Sequence, residues 1–412
     1  MPQEAKLKRV ISLPVLSFYG IGTIIGAGIY VLIGKVGAAA GVYMPLSFLL
    51  AGVIACFTGL SYAELSARYP KSAGTVLYVL EAWQKPTVAQ IIGVMVALTG
   101  IVSAGTIASG FVGYLSVFID APSYVVIPLL LFILMLVAMW GIEQSALTIM
   151  MITLVEIGGL IFAVYASSQA PIVHAVSDIL VIPTASQGTG ILIGSFLAFY
   201  AFIGFEDMVN VAEEVKNPRF TLPRAIILAI AVSVILYMAV AFMAVRVSSI
   251  AALAESKAPL ADMVRAGGFD PKFITIISLF AVINGALVQM IMASRLMYGM
   301  AQRKLIPDLF SYVNKFTQTP VIATFFVTVL IVIFALWLPL VVLAKVTSLI
   351  MLLVFSVVNL SLLTIKWRER VGTRQAAQIP DGAALEQVTS YPIMIPFIGL
   401  ILSLFLILLQ FI

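Results

Sequence analysis

Charged side chains are scarce in this sequence. Asp, Glu, Lys and Arg make up 10% of its 412 residues, whereas 62% of the residues are hydrophobic. A soluble domain carries about 25% charged residues, so the composition excludes an ordinary soluble protein. Long unbroken apolar runs favour helices over a β-barrel, whose strands alternate over about ten residues. The sequence therefore predicts an all-α membrane protein in a lipid bilayer.

Cysteine and histidine are nearly absent. Cys56 is the sole cysteine, which excludes an intramolecular disulfide, and His174 is the sole histidine. The sequence shows no cluster of His, Cys and carboxylate residues that would hold a metal, and no Ser–His arrangement at membrane depth. We therefore expect no metal, no catalytic residue and no intramembrane enzyme.

Nucleotide-binding motifs are also missing. The segment GIGTIIG has one residue more than the dinucleotide pattern GxGxxG and follows no strand. Five residues separate Gly28 from Gly34, and Val36 stands where a P-loop has Ser or Thr. We expect no cofactor and no nucleotide-driven pump. The net charge of +5 indicates no nucleic-acid partner, because the predicted topology accounts for the distribution of the charges.

Hydrophobic runs predict about eleven transmembrane helices. Breaks are clear at Asp120–Pro122, at 141–144 and around Pro339. The predicted outer loops at 168–188 and 247–272 are long enough for short helices. The predicted spans are 13–36, 44–67, 88–118, 122–140, 145–167, 189–213, 223–246, 273–301, 320–338, 341–365 and 391–411.

The distribution of Lys and Arg predicts the orientation. With a cytoplasmic N-terminus, 17 of the 23 basic residues fall in inner segments and six in outer segments. Basic residues favour the cytoplasmic side. We therefore expect a multi-pass protein of the cell membrane, with the N-terminus cytoplasmic and, after an odd number of spans, the C-terminus extracellular.

Two glycine-containing stretches interrupt the predicted helices. GIGTIIGAGIY at 20–30 places four glycines in the middle of span 1, and AFIGFE at 201–206 lies inside span 6. Glycine is a poor helix former and leaves the backbone approachable. Interrupted helices in corresponding halves indicate a substrate site at the bilayer midplane. The spacing of Gly22 and Gly26 is also typical of simple helix packing.

The positions of the two breaks predict an inverted repeat. Spans 1 and 6 lie five spans apart, and an odd offset inverts the second copy. The predicted ten-helix core occupies residues 1–365, with repeats at about 8–167 and 189–365. Residues 366–412 form an inner linker and one additional transmembrane helix.

Three segments carry a family resemblance: GTIIGAGIYV at 22–31, AFIGFEDMVNVAEEVKNPRFTLPRAI at 201–226, and ASRLMYGMAQRKLIP at 293–307. They resemble the amino acid–polyamine–organocation (APC) superfamily of transporters. The resemblance covers about residues 8–365. It implies a LeuT-type 5+5 inverted repeat with discontinuous helices 1 and 6, and secondary transport of amino acids or amines. Many members have twelve spans, so eleven spans here depart from the family at the C-terminal end.

The resemblance also implies where an amino acid would bind. Backbone N–H groups of Ala27 and Gly28, with Gly26 nearby, would meet the carboxylate, because the N-terminus of a half-helix suits an anion. Carbonyl groups of Ile24, Tyr200 and Ile203 would meet the ammonium.

Side-chain selectivity must come from other positions. Alignment with the family suggests Ser103 and Ala104 on span 3, Phe202 and Phe205 on span 6, and Gln289 on span 8. Nearly all are small or apolar, so we expect neutral amino acids. Tyr200 and Phe205 flank the second break and either gate the site or only pack.

Two intramembrane acids have two interpretations each, because charge at membrane depth is costly and usually functional. Glu156 on span 5 stands where proton-coupled relatives often have lysine. It either carries a coupling proton or cation, or is a protonated residue that bonds a neighbouring carbonyl. Glu206 either satisfies free N–H groups of the break and takes part in gating, or relays a proton.

The sequence as a whole predicts a secondary active amino acid transporter that works by alternating access. The predicted partners are an amino acid and a proton. Sodium coupling, amino acid exchange and transport of cationic amino acids are alternatives. A channel, or a substrate-sensing or partner membrane subunit without transport, is an alternative of a different class.

Overall fold

The architecture was analysed in a computed structural model that describes residues 9–26, 28–71, 74–140, 146–302, 304, 306–372 and 389–410. These residues form a bundle of α-helices. The helices are α1 (Leu13–Ile25), α2 (Gly28–Ala40), α3 (Met44–Arg68), α4 (Gly74–Trp83), α5 (Pro86–Leu115), α6 (Ser123–Trp140), α7 (Ala146–Ser168), α8 (Val176–Leu180), α9 (Ala185–Phe199), α10 (Pro218–Val247), α11 (Ile250–Glu255), α12 (Pro259–Ala266), α13 (Lys272–Gln302), α14 (Val321–Trp337), α15 (Leu340–Val371) and α16 (Met394–Leu408).

The eleven predicted spans correspond to these helices. Within the described residues, eight segments are long and apolar enough to cross a membrane, and α1, α14 and α16 are shorter apolar helices. The largest shift is at the end of the tenth span, predicted at residue 365 and observed at Val371. The predicted all-α membrane fold is confirmed. The 5+5 repeat and the domain limits remain predictions, and residues 373–388 of the predicted linker lie outside the described part of the chain.

Proline begins several of these helices. It occupies one of the first two positions of α1, α3, α5, α10 and α12. Proline suits these positions because its fixed φ is already helical and its missing N–H would have had no partner within the helix. The predicted outer loops contain the short helices α8, α11 and α12. We use inner and outer for the sides predicted from the Lys and Arg distribution.

The predicted first and sixth spans are each interrupted. Span 1 consists of α1 and α2, which are separated at residues 26–27. Span 6 consists of α9, a 3₁₀ turn at Tyr200–Phe202 and a 3₁₀ segment at Phe205–Glu214. Between the last two, Ile203 is extended and Gly204 has φ +134°. The predicted discontinuities in helices 1 and 6 are therefore present.

The inner ends of the two interrupted spans are joined by backbone hydrogen bonds. The N–H groups of Val10 and Ile11 donate to the carbonyl of Glu214 at 2.9 and 3.0 Å. The N–H of Lys216 donates to the carbonyl of Ile11 at 2.9 Å. These bonds form an isolated parallel bridge between Ile11 and Val215, so the segment before α1 is attached to the end of span 6.

A buried ionic cluster joins α3, α15 and the start of α16. The carboxylate of Glu64 lies 2.6 Å from Arg68 and 2.7 Å from Lys366, and Arg68 also lies 2.6 Å from Glu369. Glu64 further accepts the N–H of Tyr391 at 2.9 Å. Every named charge has an opposite partner, which a buried ion requires. This cluster attaches the segment that precedes α16 to α3 and α15.

Lys366→Met is expected to destabilise the protein, because it leaves the buried Glu64 carboxylate with one fewer cation. Breaking a buried ion pair by removing one partner costs about 3–5 kcal/mol. Thermal unfolding in detergent would measure the loss. Lys345→Met is the matched control, since it removes a half-buried lysine from the same helix. Equal melting temperatures for the two variants would show that the cluster contributes little.

Candidate functional site

The two breaks pack directly against each other. A Cβ atom on Gly28 would lie 2.4 Å from the Cα of Ala201, and one on Gly204 would lie 2.4 Å from the carbonyl oxygen of Thr23. Real Cβ contacts are essentially never that close, so the backbones themselves touch. Gly204 also needs its positive φ, which side chains other than glycine disfavour. Glycine at these positions therefore permits the close approach of spans 1 and 6.

Two side-chain hydroxyl groups connect the breaks. The Oγ1 of Thr23 lies 2.9 Å from the carbonyl oxygen of Gly20 and 3.1 Å from that of Gly204. The Oη of Tyr237, on α10, lies 2.8 Å from the carbonyl oxygen of Ile24 and 2.9 Å from that of Ala201. The two contacts of Tyr237 satisfy carbonyl groups at the breaks, as buried backbone groups require.

Sequence reasoning missed Thr23 and Tyr237. Thr23 lies inside the glycine-rich stretch, where the glycines alone were used to predict the break. Tyr237 is a polar aromatic residue in the middle of the apolar run at 223–246. A buried tyrosine hydroxyl usually has a hydrogen-bond partner, and that rule is the signal that could have identified it.

Glu206 provides a hydrogen-bond acceptor for a backbone N–H group at the second break. Its Oε2 accepts the backbone N–H of Gly204 at 2.9 Å, and the side chain is buried. This is the backbone contact expected for a carboxylate that caps an interrupted helix. The adjacent Asp207 is buried as well, and its N–H donates to the carbonyl of Gly204 at 3.1 Å. Two neighbouring acids therefore lie at the break.

The predicted backbone ligands lie at the breaks, although two of their carbonyl groups already have partners. Gly26 and Gly28 are buried, and Ala27 lies outside the described residues. The carbonyl of Ile24 accepts from Tyr237, and that of Tyr200 accepts the N–H of Ile203 at 3.2 Å. A carbonyl oxygen has two lone pairs, so each of these groups retains capacity for an ammonium.

The structure brings some predicted selectivity residues together and separates others. Ser103 and Tyr200 meet, with Oγ and Oη 2.9 Å apart. Gln289, on α13, lies against Gly100, which is about one turn from Ser103 on α5: a Cβ on Gly100 would be 3.2 Å from the Oε1 of Gln289. The first of these pairs joins span 3 to span 6 next to the second break.

Phe202 and Phe205 pack in different neighbourhoods. The ring centroid of Phe202 lies 5.1 Å from that of Tyr237. Phe205 packs on Tyr62 and Phe355, with centroid distances of 5.6 and 5.1 Å. Both rings are almost fully buried. Phe205 is therefore part of an aromatic cluster with α3 and α15, and its proposed role as a gate remains a prediction.

Glu156 is buried beside the first interrupted span. Its side chain is 1% exposed and lies beside Asn284 of α13, and neither carboxyl oxygen has a hydrogen-bond partner among the described residues. Its backbone carbonyl accepts the hydroxyl of Tyr30, on α2, at 3.1 Å. One turn earlier on α7, the Oγ1 of Thr153 would lie 2.1 Å from a Cβ on Gly22. A carboxyl group is thus held between span 1 and span 8, close to the first break.

The described residues contain no group of three or more His, Cys, Asp and Glu residues that could hold a metal ion. The candidate site consists instead of backbone carbonyl and N–H groups, hydroxyl groups and buried carboxyl groups. Such a set can provide hydrogen-bond partners for both the ammonium and the carboxylate of a small zwitterion. Each of these groups needs partners when it is removed from bulk water.

Comparison with known proteins agrees with this description. The family model described as amino acid permease matches residues 11–412, and the chain belongs to that family. The predicted membership of the APC superfamily is thereby confirmed, and with it a permease rather than an enzyme.

Several curated proteins are similar to the chain. A protein named cationic amino acid transporter 3, mitochondrial, from Arabidopsis thaliana is 29% identical over 88% of this chain and 63% of its own length. The branched-chain amino acid permease BcaP of Bacillus subtilis is 28% identical over 98% of this chain and 89% of its own length. The chain therefore spans less than two thirds of the first relative.

Proposed function

We propose that the protein is a secondary active transporter of amino acids that works by alternating access around the two breaks. The observation that carries the proposal is the direct contact between the breaks, with Gly28 against Ala201 and Gly204 against Thr23. Backbone groups from two interrupted helices lie at one place, where an amino acid can meet them. The backbone groups of Ile24, Gly26, Ala27, Gly28, Tyr200 and Ile203 are the proposed ligands of its carboxylate and ammonium.

We propose neutral L-amino acids as substrates. The side chains near the breaks, including those of Ser103, Tyr200 and Phe202, carry no charge. Of the acids near the breaks, Glu206 already accepts the N–H of Gly204. A guanidinium or lysine ammonium would compete with that partner. A cationic substrate is the second candidate, because the Arabidopsis relative is named a cationic amino acid transporter.

Protons are the proposed energy source, and Glu156 the proposed proton carrier. Its carboxyl is nearly inaccessible to solvent and lies between elements of span 1 and span 8. A charge in such a place is costly, so binding and release of a proton would be tied to the arrangement of these helices. Glu206 and the aromatic residues Tyr200 and Phe205 are proposed gating residues. We propose the cell membrane as the location, with the N-terminus cytoplasmic and the C-terminus extracellular.

Uptake by purified protein in proteoliposomes tests the proposal. Radiolabelled L-leucine should enter against its gradient when the lumen is more alkaline than the medium, and protein-free liposomes are the control. Alanine, serine and leucine should compete, whereas arginine and lysine should compete weakly. Tight competition by arginine or lysine, with none by the neutral amino acids, would overturn the proposed substrate class.

Variations of this assay separate the alternatives. Uptake that follows a sodium gradient and ignores the pH gradient would replace proton coupling by sodium coupling. Uptake that occurs only into amino-acid-loaded vesicles would identify an exchanger. Specific leucine binding without any flux would identify a sensing or partner subunit.

A further inference from the structure

A compact turn precedes α14. Residues 314–319, which we call the Asn314 turn, are closed by the N–H of Asn314, which donates to the carbonyl of Thr319 at 3.0 Å. The Oδ1 of Asn314 also accepts the N–H of Phe316 at 2.8 Å, as asparagine commonly does in turns. The N–H of Gln318 donates to the carbonyl of Asn314 at 2.9 Å. The turn therefore has a defined shape and holds its central residues in place.

The turn presents an apolar ring on its surface. Phe316 is 97% exposed, and no other large hydrophobic side chain in the described part of the chain is as exposed. It lies between the predicted apolar spans 273–301 and 320–338 and belongs to neither. Leu309 and Tyr312, in the same inner loop, are 62% and 50% exposed. Grouped apolar side chains of this kind mark a site of contact with a protein or a membrane.

The position of the turn relative to the helices indicates which of these it meets. The Oγ1 of Thr319 donates to the carbonyl of Met139 at 2.8 Å, at the inner end of α6. The next residue, Trp140, is 77% exposed, and tryptophan is enriched where a membrane meets water. The apolar helix α14 begins at Val321, two residues after the turn. The turn therefore lies where two apolar helices end, at the level of the lipid headgroups.

The charge of the turn indicates which lipid it meets. Lys315, next to Phe316, is exposed and forms no ion pair with any described residue. The turn contains no acidic residue, and the nearest one in sequence, Asp308, is preceded by the exposed Lys304. The cytoplasmic leaflet, which is the one expected on this side, carries a negative surface potential from acidic lipids. The lysine and the leaflet are therefore complementary in charge.

We propose that the Asn314 turn docks on acidic phospholipids of the inner leaflet. The ring of Phe316 enters the boundary between headgroups and acyl chains, and the ammonium of Lys315 binds a lipid phosphate. The alkyl part of the lysine lies along apolar surface while its charge stays among the headgroups. Because the turn is bonded to the end of α6 and continues into α14, it sets the depth of both helices in the bilayer. The inference does not depend on the substrate or on the energy source.

A nitroxide spin label at position 316 reports the surroundings of the turn. The full-length protein carries Cys56→Ser, which removes the sole cysteine of the sequence, and Phe316→Cys for attachment of the label. It is reconstituted in vesicles of phosphatidylcholine, with or without phosphatidylglycerol. Collisions of the label with oxygen, which concentrates in the bilayer, and with a water-soluble nickel chelate are measured by electron paramagnetic resonance. With phosphatidylglycerol, we expect access to oxygen and shielding from nickel.

Removal of either charge should weaken the docking. Without phosphatidylglycerol, or with Lys315→Gln, we expect the ratio of oxygen to nickel accessibility to fall about fivefold, as for the loss of one attraction between a lysine and an acidic leaflet. Lys315→Arg should preserve the ratio. Lys272→Gln, which removes an exposed lysine at the outer end of α13, is the matched control and should not change it.

A second label and the unlabelled protein complete the controls. Ile182→Cys places the label where a side chain is 88% exposed, in a segment, 169–184, that contains no lysine or arginine. Its accessibility should not respond to phosphatidylglycerol. The wild-type protein, with Phe316 in place, should retain spin-labelled phosphatidylglycerol more strongly than Lys315→Gln does. Thermal unfolding of every variant verifies that it is folded.

Three other results would overturn the inference. A label at position 316 that is open to nickel in both kinds of vesicle would show that the turn stays in water. A label shielded from both oxygen and nickel would show that protein covers the turn, and cross-linking through the cysteine at 316 would then identify a second copy of the chain as its occupant. Access to oxygen that depends neither on phosphatidylglycerol nor on Lys315 would show an apolar contact without recognition of acidic headgroups.

Discussion

Gly28→Ala is expected to abolish most transport, because the added methyl group would lie 2.4 Å from the Cα of Ala201 and 2.7 Å from its Cβ. The nearest atom belongs to the backbone, so no flexible side chain can move aside. The two breaks must then separate. Overpacking costs about 1–3 kcal/mol, and a cost of that size on the arrangement that binds substrate corresponds to about 5- to 150-fold in an equilibrium constant.

Initial rates of L-leucine uptake in proteoliposomes would measure this effect, with the amount of folded protein determined by size-exclusion chromatography. Gly158→Ala is the matched control. Gly158 also lies in an apolar helix, but a Cβ there would meet nothing within 4 Å, and alanine favours a helix over glycine by about 1 kcal/mol. If Gly28→Ala transported as well as Gly158→Ala, close contact between the breaks would not be needed for function.

Glu156→Gln is expected to eliminate uptake that depends on a pH gradient. Glutamine resembles a protonated glutamate in shape and has no charge, so the site would behave as permanently loaded. Release of the proton could then no longer accompany release of the substrate. We expect accumulation of L-leucine to fall to the level of empty liposomes, and exchange of external for internal leucine to continue.

The exchange assay is the internal control of this experiment, because it uses the same binding site without a pH gradient. A variant that had merely unfolded would lose both activities. Full pH-dependent uptake by Glu156→Gln would contradict the coupling role. It would leave Glu156 as a structural residue that lies beside Asn284.

Much of the architecture follows from the sequence for simple physical reasons. Apolar segments of sufficient length identify transmembrane helices without any knowledge of their packing. The breaks are predictable because Gly26, Gly28 and Gly204 weaken the local helix, and Glu206 is predictable because an acid at membrane depth needs a partner. These are local properties of the chain.

The connections between the breaks are not local, and the sequence does not reveal them. Tyr237 and Thr23 acquire their significance only when α10 and spans 1 and 6 come together. Alignment places Phe202 and Phe205 equally near the break, but the fold packs their rings against different helices. Distances between segments remote in sequence depend on packing, which hydrophobic periodicity does not encode.

The bridge between Ile11 and Val215 links the two interrupted spans at their predicted cytoplasmic ends. Three backbone hydrogen bonds connect the segment before α1 to the end of Phe205–Glu214, so the two elements are expected to move together rather than independently. A displacement of one element would displace the other, and a displacement of the chain at Val10 would displace both. Val10 and Ile11 therefore connect the positions of both interrupted spans.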